Sequence, residues 1–403
     1  MLSFASPKLA PRLSVFVRSL LPIPLVLALT LLLRCGGPGP ALSEGGENIE
    51  SSGPLTTLRV HYPAGSHHLS IRGDSGGLNW SADAALDDAG GDIWTYTTRA
   101  AAGALHWKPL LDGSWSIGPN YAANAGDTVD VYPWFQSQSG SVVRFDNWWS
   151  NDLQNSRPIW VYTPPSYAEQ TGEQYPVIYM HDGQNLFDPN YAFGGTTWQV
   201  AQSMDQGALD GSIREAIVVG IGNTDNRIWE YTPNDSLTGY TGGGAATYLS
   251  FMTDELMPQI NQGYRTSTDR LDTAIVGSSL GGIVSACAGL WRPDVFGLVG
   301  VMSPSTWWHD DWIIGAVQGT ASAPVKPARV YVDSGDSGDD GDGDPGATED
   351  DATLTTQLFQ AYQGVGYIDA EHVIGQGDTH TESAWARRFP GGMQFLLGGR
   401  ANQ

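Results

Sequence analysis

The chain has 403 residues, of which 41% are hydrophobic and 16% are charged, with 51 glycines and 15 tryptophans. This composition is typical of a folded protein rich in strands and loops, and it excludes a coiled coil and a disordered chain. The formal net charge of −23 repels phosphate backbones, so we expect no nucleic-acid partner. The length is enough for about two domains.

An export signal is predicted over residues 1–35, where three basic residues precede the apolar stretch from Leu25 to Leu33. That stretch is too short for a comfortable membrane span. Cys35 then stands in a setting that resembles a bacterial lipoprotein cleavage site, although Arg34 occupies the place of a small residue. Two alternatives stay open, a lipid anchor at Cys35 or plain secretion. The expected location is the periplasm, the cell surface or the extracellular space.

A flexible tether is predicted over residues 36–54, which are rich in Gly, Ser and Glu. Residues 55–137 follow as a predicted all-β domain, because short alternating stretches are separated by clusters of Gly, Asp and Asn. Those stretches are Leu58–Tyr62, His68–Arg72, Ile93–Tyr96 and Thr128–Tyr132. Their spacing favours a small β-sandwich.

From residue 138 to residue 403 the pattern changes to strands that alternate with helices. The predicted strands are Pro158–Tyr162, Val177–Met180, Ala216–Gly220, Ala274–Val276 and Val330–Val332. Helices are predicted over Tyr248–Ile260 and Ile283–Leu290. Near-continuous apolar strands with helices between them indicate an α/β domain, with a mostly parallel sheet covered on both faces.

One short motif, Gly277-Ser278-Ser279-Leu280-Gly281, lies between a predicted strand and a helix of small residues. A G-x-S-x-G sequence in that context is typical of the nucleophile elbow of α/β-hydrolases. The two glycines remove side chains that would clash in the tight turn. Ser279 is therefore the predicted nucleophile, and the N–H of Leu280 is a predicted oxyanion donor at a helix N-terminus.

A serine nucleophile needs a general base, and in α/β-hydrolases the base is a histidine that follows the serine in chain order. His372 and His380 lie late enough in the chain. His372 falls in a predicted strand, whereas His380 falls in a loop before a helix that starts near Ser383. His380 is therefore the predicted base.

The acid of the triad is expected in the loop that follows Val330–Val332. Asp336 and Asp339 are the preferred candidates. Asp333 is expected to end the strand as a structural residue, and Asp350 and Asp351 stay open as alternatives. The same loop places Asp340, Asp342, Asp344 and Asp351 at the spacing of an EF-hand. Pro345 stands where that loop needs Gly, so the sequence favours a solvated acidic loop over a Ca²⁺ site, and no required cofactor or metal is expected.

Four stretches of residues 140–399 together resemble the esterase family that includes enterochelin esterases, S-formylglutathione hydrolases, and feruloyl and acetyl-xylan esterases. They are Tyr175–Phe187, Arg227 with Glu230–Pro233, Gly277–Gly282 and His380–Trp385. The resemblance implies a triad of Ser, Asp or Glu, and His. It also implies that the loop after Met180 supplies the second oxyanion N–H, from Gly183 or Gln184.

The resemblance leaves the roles of several other residues open. His181 and Asp182 either shape the oxyanion loop or are only structural. Arg227, Glu230 and Tyr231 are expected to act as scaffold rather than as a pocket rim. Trp307 and Trp308 either line the acyl or sugar pocket, as substrate-binding residues, or pack in the core.

The N-terminal β-domain is similar to starch- or glycogen-binding modules. The residues that carry this similarity are Trp80, Trp94, Trp107, Lys108, Trp115 and Gly118–Tyr121. Exposed aromatic rings can stack on sugar faces, but a small sandwich also needs buried tryptophans. Glycan binding and an inert accessory role are therefore both open.

The sequence predicts an exported serine carboxylic-ester hydrolase that works through an acyl-enzyme. Its expected partner is a small-molecule or polysaccharide ester, with the ester linked to a carbohydrate or a siderophore. Two alternatives remain, an acyltransferase that uses the same triad and a non-catalytic glycan-binding surface protein.

Overall fold

The computed structural model describes residues 53–99, 103–236, 239–337, 352–367 and 369–398. The predicted export signal, Cys35 and most of the predicted tether lie outside the described residues. So do the acid candidates Asp339 and Asp350 and the four residues of the candidate Ca²⁺ site, Asp340, Asp342, Asp344 and Asp351. Within the ranges given, none of the helices combines the length and the apolar character that a membrane crossing requires.

Nine strands build the N-terminal part of the described chain. They are β1 (Thr56–His61), β2 (Leu69–Gly73), β3 (Ala84–Ala85), β4 (Asp87–Gly90), β5 (Ile93–Thr98), β6 (Leu105–Leu111), β7 (Ser114–Trp115), β8 (Tyr121–Ala123) and β9 (Thr128–Val131). One sheet has the order β4-β5-β1-β9, and the other has the order β3-β2-β6-β7 with β8 paired to β6. The alternation in β1 buries Thr56, Leu58 and Val60, which is the pattern of a strand with one face on a core. The all-β character predicted for this region is confirmed.

An eight-stranded sheet follows, in the order β10-β11-β13-β12-β14-β15-β16-β17. Its strands are β10 (Ser141–Ser150), β11 (Asn155–Thr163), β12 (Val177–His181), β13 (Ile217–Ile221), β14 (Thr273–Ser279), β15 (Leu298–Pro304), β16 (Arg329–Gly335) and β17 (Ala370–Gly375). β10 and β11 pair antiparallel, as do β11 and β13, and the other neighbours pair parallel. The predicted α/β-hydrolase fold, with a mostly parallel sheet, is confirmed.

In the described part of the chain, eight α-helices cover this sheet. They are α1 (Val200–Asp210), α2 (Arg227–Tyr231), α3 (Ala245–Ser250), α4 (Met257–Gly263), α5 (Leu280–Trp291), α6 (Trp312–Gln318), α7 (Ala352–Gly364) and α8 (Glu382–Leu397). A π-helical stretch, Phe251–Leu256, joins α3 to α4. One apolar core includes α3, α5 and α7, and a second, which includes α1 and α8, lies against other residues of the same strands. The sheet is thus buried on both faces, as continuous apolar strands require.

The side chain of Glu169, which is 8% exposed, links the N-terminal sheets to the region of the eight-stranded sheet. Its carboxylate accepts hydrogen bonds from the Tyr62 hydroxyl at 2.6 Å and from the backbone N–H groups of Phe135 and Gln136 at 3.0 Å. Burial and the neighbouring Glu169 carboxylate raise the pKa of Tyr62, so this phenol stays protonated and keeps donating. Several satisfied donors on one buried carboxylate make a specific contact between the N-terminal sheets and the hydrolase region.

A buried ion pair joins β11 to α2. The side chains of Arg157 and Glu230 are 0% and 1% exposed, and their nitrogens and oxygens meet at 2.8 and 2.9 Å in a two-point contact. Asn155 donates a further hydrogen bond to Glu230 at 2.9 Å. The Arg157 guanidinium also lies 5.0 Å from the ring centre of Phe251. Burial alone would lower the pKa of Arg157, but the hydrogen bond and charge of Glu230 raise it, so the guanidinium stays charged.

Candidate active site

Ser279 is the last residue of β14, and α5 begins at the next residue. Its backbone has φ 58° and ψ −126°, a conformation that residues with a Cβ rarely adopt. Such a conformation costs about 1–3 kcal/mol, so the surrounding structure has to enforce it. This strand–turn–helix is the predicted nucleophile elbow, and it projects Ser279 from the carboxyl end of the strand.

Close contacts favour glycine on either side of the elbow, most strongly at Gly277. A Cβ on Gly277 would lie 2.7 Å from the Gly281 backbone and 2.7 Å from Cδ2 of His181. A Cβ on Gly281 would lie 3.2 Å from Cβ of His181. The motif is therefore Gly-rich because the turn closes on itself above a buried imidazole, and larger residues would open it.

Ser279 and His380 line the same cavity, which has a volume of about 450 Å³. The other lining residues are Asp182, Gln184, Asn185, Tyr191, Phe193, Asn223, Arg227, Ser278, Glu382 and Trp385. The imidazole of His380 contacts Trp385 edge-on, with ring centres 4.9 Å apart. The structure thus brings the predicted nucleophile and the predicted base to one site, across a separation of about one hundred residues in the chain.

The Ser279 hydroxyl has a second serine beside it. Its Oγ lies 3.4 Å from Oγ of Ser305, and the Ser305 N–H donates to the Ser279 carbonyl at 3.0 Å. Ser305 follows β15, the strand next to β14 in the sheet. This backbone contact ties the loop after β15 to the elbow.

The loop that carries His380 is fastened by hydrogen bonds to the end of β16. The Gly377 N–H donates to Oδ1 of Asp336 at 2.7 Å, and the Ser337 N–H donates to the Asp378 carbonyl at 3.0 Å. After the loop, the Thr381 side chain accepts from the Ala384 N–H and caps α8. His380 therefore lies between two segments that these hydrogen bonds hold in place.

Of the two preferred acid candidates, only Asp336 is among the described residues. It is exposed, and Oδ1 accepts from Gly377 and from the Ser337 hydroxyl. Asp333 is fully buried and forms an ion pair with Arg388 at 3.1 Å, which fits the structural role predicted for it. Burial raises the pKa of Asp333 even though Arg388 opposes this effect.

Arg388, on α8, joins two carboxylates beneath the site. It contacts Asp333 through Nε and Asp378 through Nη1, the latter at 2.6 Å, and Arg387 also pairs with Asp378. Burial works to raise the pKa of Asp378, but the two guanidinium groups lower it overall. Sequence reasoning missed this network because its members are 55 and 10 residues apart and meet only in the fold.

The predicted oxyanion loop begins after β12, where Asp182 has a left-handed backbone and the turn Gly183–Asn185 follows. Both carboxylate oxygens of Asp182 accept from Arg227 at 2.8 Å, and Oδ1 also accepts from Asn223 at 2.7 Å. Oε1 of Gln184 accepts from the Asn223 N–H at 3.2 Å. Asp182, Arg227 and Asn223 thus hold the loop in place from one side.

The Asp182–Arg227 pair stays ionised in the folded protein. Burial works to raise the pKa of Asp182, but the charge and hydrogen bonds of Arg227 lower it overall. A two-point contact between guanidinium and carboxylate fixes geometry as well as charge. Arg227 therefore serves as a scaffold for the loop after β12 and also reaches the cavity wall.

His181 is buried beneath the elbow, and its Nδ1 lies 3.0 Å from the Tyr248 hydroxyl. Its ring centre lies 5.2 Å from that of Tyr231 and 5.5 Å from that of Tyr248. Burial lowers the pKa of His181 to about 3, so the imidazole is neutral at physiological pH. Its place against Gly277 and Gly281 makes it a structural support for the turn.

Replacing His181 should flatten the pH dependence of stability between pH 6.5 and 4.5. A folded-state pKa of about 3 lies below the ordinary pKa of about 6.5, so the unfolded chain binds the extra proton in this window. His181 therefore contributes stability that is complete above pH 6.5 and is lost as the pH falls. The slope should decrease by about 1 kcal/mol per pH unit in His181→Asn.

Urea unfolding at several pH values measures that slope for wild type, for His181→Asn and for the exposed control His68→Asn. The control should keep the wild-type slope. An unchanged slope in His181→Asn would contradict the assignment, whatever the variant does to absolute stability.

The two tryptophans predicted as pocket or core residues lie away from this cavity. Trp308 is 1% exposed, and its Nε1 donates to the Asn234 carbonyl at 3.0 Å. Trp307 is partly buried against the same apolar core. Neither belongs to the lining given above, so the core-packing alternative describes their surroundings. The aromatic residues that do line the cavity, Tyr191, Phe193 and Trp385, lie outside the predicted pocket set.

The aromatic residues of the N-terminal sheets divide into buried and exposed ones. Trp107 is buried, and Nε1 of Trp94 donates to the Tyr62 carbonyl at 3.0 Å. Trp80 and Trp115 are 39% and 42% exposed, and their ring centres lie 6.1 Å apart. The Arg72 guanidinium lies 5.3 Å from the Trp115 ring centre.

Residues 150–396 match the family model described as Putative esterase. The chain belongs to this esterase family. The match covers more than half of the chain and includes the elbow, the loop after β12 and His380. The esterase is thus a carboxylic-ester hydrolase, and the resemblance predicted from its motifs is confirmed.

Curated relatives of the esterase include the uncharacterized protein YbbA of Bacillus subtilis strain 168. It is 26% identical over 259 residues, which are 62% of this chain and 96% of that protein. An endo-1,4-beta-xylanase/feruloyl esterase of Xylanibacter ruminicola is 24% identical over 73% of this chain, and the match covers 39% of the relative. An iron(III) enterobactin esterase of Escherichia coli O6:H1 is 26% identical over 56% of this chain, and the match covers 54% of the relative. The esterase thus matches about half or less of the last two.

Solved structures share the fold of the esterase. An IroE-like serine hydrolase from Shewanella oneidensis superposes with a TM-score of 0.51 at 22% identity, over 64% of this chain and 80% of that one. The BES protein from Bacillus cereus superposes with a TM-score of 0.50 at 18% identity, over 63% of this chain and 94% of that one. These likenesses support the α/β-hydrolase architecture of the eight-stranded region.

Proposed function

We propose that the esterase hydrolyses its substrate through an acyl-enzyme on Ser279. The observation that carries this proposal is the strained backbone of Ser279 at a strand–helix turn, in a cavity that His380 also lines. Strain of this kind is retained only where the surrounding structure over-determines it, and it is typical of functional sites. A serine placed in this way and served by an imidazole is the arrangement that acyl transfer requires.

The proposed reaction has two halves. His380 takes the proton of the Ser279 hydroxyl while Oγ attacks the ester carbonyl, and the tetrahedral oxyanion accepts hydrogen bonds from the N–H groups of Leu280 and of Gly183 or Gln184. Collapse breaks the ester bond, and His380 gives its proton to the departing alcohol. Water, deprotonated by His380, then attacks the acyl-enzyme and releases the acid.

We assign the orienting acid of this triad to Asp336 or Asp339. Asp336 is supported by its hydrogen bond to Gly377, three residues before His380, which keeps its carboxylate beside the loop that carries the base. Asp339 is supported by its position in the same loop after β16. An acid in this place would hold the imidazole in the correct tautomer and stabilise the imidazolium.

The substrate is proposed to be an ester on a carbohydrate or a siderophore, because relatives carry the names feruloyl esterase and enterobactin esterase. A panel of acetyl, feruloyl and siderophore esters, assayed by release of free acid, tests this proposal. Hydrolysis of one class should exceed that of the others. Turnover of none of them would overturn the substrate assignment.

Export is also proposed, on the basis of the basic and apolar leader of residues 1–35. Cys35 is the candidate for a lipid anchor. An exported esterase would meet its ester outside the cytoplasm, which agrees with a polysaccharide or siderophore substrate.

A second candidate function, glycan binding, is favoured by the exposed pair Trp80 and Trp115 on the N-terminal sheets. Aromatic rings left open to solvent can stack on the apolar faces of sugars. Trp115→Ala should reduce retention of the full chain on an amylose column at least about fivefold, since stacking on one ring contributes about 1 kcal/mol. Trp149→Ala, at an exposed tryptophan on β10, is the matched control. Equal retention of wild type and Trp115→Ala would rule this surface out.

A further inference from the structure

An arginine of the edge strand β10 is stacked against the wall of the catalytic cavity. The guanidinium carbon of Arg144 lies 4.2 Å from the ring centre of Tyr191, which is one of the lining residues. It also lies 5.3 Å from the ring centre of Trp160, the residue directly opposite Arg144 on β11. A guanidinium over an aromatic face is attracted electrostatically to the ring. Arg144 therefore connects the edge of the sheet to the cavity wall.

Two neighbours hold Arg144 in this position. Trp160 is 3% exposed, so its ring is enclosed and provides a rigid support. The carboxylate of Asp146, on the same strand, pairs with Nη1 of Arg144 at 2.5 Å. The guanidinium can stack on rings while it forms an ion pair, because it is planar and delocalises its charge.

Tyr191 lies in the loop between the turn after β12 and α1, and its side chain is held by contacts between rings and Arg144. The ring is 46% exposed and contacts Trp160 edge-on, with ring centres 6.1 Å apart. Its backbone N–H donates to the Asp188 carbonyl at 3.1 Å, a contact within the same loop. Among the described residues, Arg144 and Trp160 are therefore what fixes the Tyr191 ring at the cavity wall.

We propose that Arg144 is a positioning residue of the esterase, which fixes Tyr191 so that the cavity wall is in place before the substrate binds. The inference rests on the proposed function, because it concerns the substrate of the same cavity. Ordering one mobile side chain on binding weakens affinity about two- to tenfold, and Arg144 removes this cost. The effect falls on esters long enough to reach Tyr191 and leaves the chemistry at Ser279 unchanged.

Two esters of different length test the proposal. Para-nitrophenyl hexanoate extends far from its carbonyl on both the acyl and the alcohol side, whereas ethyl acetate is short on both sides. Arg144→Met keeps the length of the side chain and removes the guanidinium. For para-nitrophenyl hexanoate, KM should rise about fivefold and kcat should change less than about twofold. For ethyl acetate, kcat/KM should change less than about twofold.

Arg72→Met is the matched control for the loss of a stacked arginine. Arg72, on the N-terminal sheets, also pairs with a carboxylate, that of Asp83 at 2.6 Å, and lies 5.3 Å from the ring centre of Trp115. This variant should keep the wild-type KM for both esters. Equal changes for the long and the short ester in Arg144→Met would indicate a general effect on the fold and would overturn the proposal.

Tyr191→Ala shows whether Arg144 acts through Tyr191. This variant should itself raise KM for para-nitrophenyl hexanoate, and adding Arg144→Met should raise it less than about 1.5-fold further, because the ring that Arg144 holds is gone. The proposal fails if KM is unchanged in either single variant, or if Arg144→Met has its full effect in both backgrounds. Failure of the proposed function looks different, because hydrolysis of both esters would then not depend on Ser279.

Discussion

Ser279→Ala should lower kcat for ester hydrolysis at least about 10³-fold, with little change in folding. The variant removes the atom that is proposed to attack the carbonyl, while the oxyanion donors and the cavity remain. A small residual rate is therefore expected. The Ser279→Ala substitution should also abolish labelling by a fluorophosphonate probe, which reacts only with an activated serine hydroxyl.

The adjacent Ser278 supplies the matched control. It lies on the same strand, lines the same cavity and is 5% exposed, yet its backbone precedes the turn. Ser278→Ala should keep kcat within about tenfold of wild type, because no transition-state contact is removed. Equal loss in both variants, or full activity in Ser279→Ala, would remove Ser279 as the nucleophile.

The same assay assigns the acid. Asp336→Asn and Asp339→Asn keep the size of the side chain and remove its charge, and the one that orients His380 should lower kcat about 10³-fold or more. The other should lower kcat less than about tenfold. Wild-type rates in both variants would move the acid to Asp350 or Asp351, the alternatives left open by the sequence.

Glu230→Gln should lower the free energy of unfolding by about 3–5 kcal/mol. The variant leaves the Arg157 guanidinium buried without its counter-charge, at a site where both side chains are almost completely enclosed. Desolvation of an unpaired charge dominates this cost, since the remaining amide still offers a hydrogen-bond acceptor. Urea unfolding at pH 7 measures the loss.

An exposed pair in the same domain separates this effect from a general loss of charge. Arg329 and Asp369 meet at 3.0 Å with side chains 38% and 53% exposed. Asp369→Asn should cost less than about 1 kcal/mol, because solvent screens such pairs. Similar losses in the two variants would show that burial of the Arg157–Glu230 pair has no special weight.

The elbow could be predicted because its signal is local. An apolar strand, a glycine on each side of Ser279 and a small-residue helix occupy consecutive positions, and the turn they form follows from steric limits on the backbone. His380 could be predicted from chain order and from its loop. In both cases the deciding features are near in sequence.

Two strands of the eight-stranded sheet escaped prediction for physical reasons. β10 is an edge strand exposed along most of its length, so it lacks the alternation that a half-buried strand shows. β15 is buried throughout but contains Gly300, Met302 and Pro304, which weaken a strand signal. The sheet order gives β15 a central place, and only tertiary pairing reveals it.

The lining of the cavity could not be predicted from the sequence, because it is formed by contacts between distant segments. Asp182 and Arg227 are 45 residues apart, and Asn185 and Glu382 are 197 residues apart. The residue type of Trp308 fits a pocket as well as a core, because aromatic side chains occur in both environments. Sequence alone could not decide between them.

The contacts of Glu169 affect how the hydrolase region can be expressed without the N-terminal strands. A fragment that starts at residue 138 would lack the Tyr62 hydroxyl and the amides of Phe135 and Gln136, which satisfy that enclosed carboxylate. In such a fragment the Glu169 carboxylate would lose these donors at a surface that is newly exposed to solvent. Residue 138 is therefore a poor start for a truncated protein. The N-terminal strands and the catalytic region should therefore be expressed together, as one structural unit.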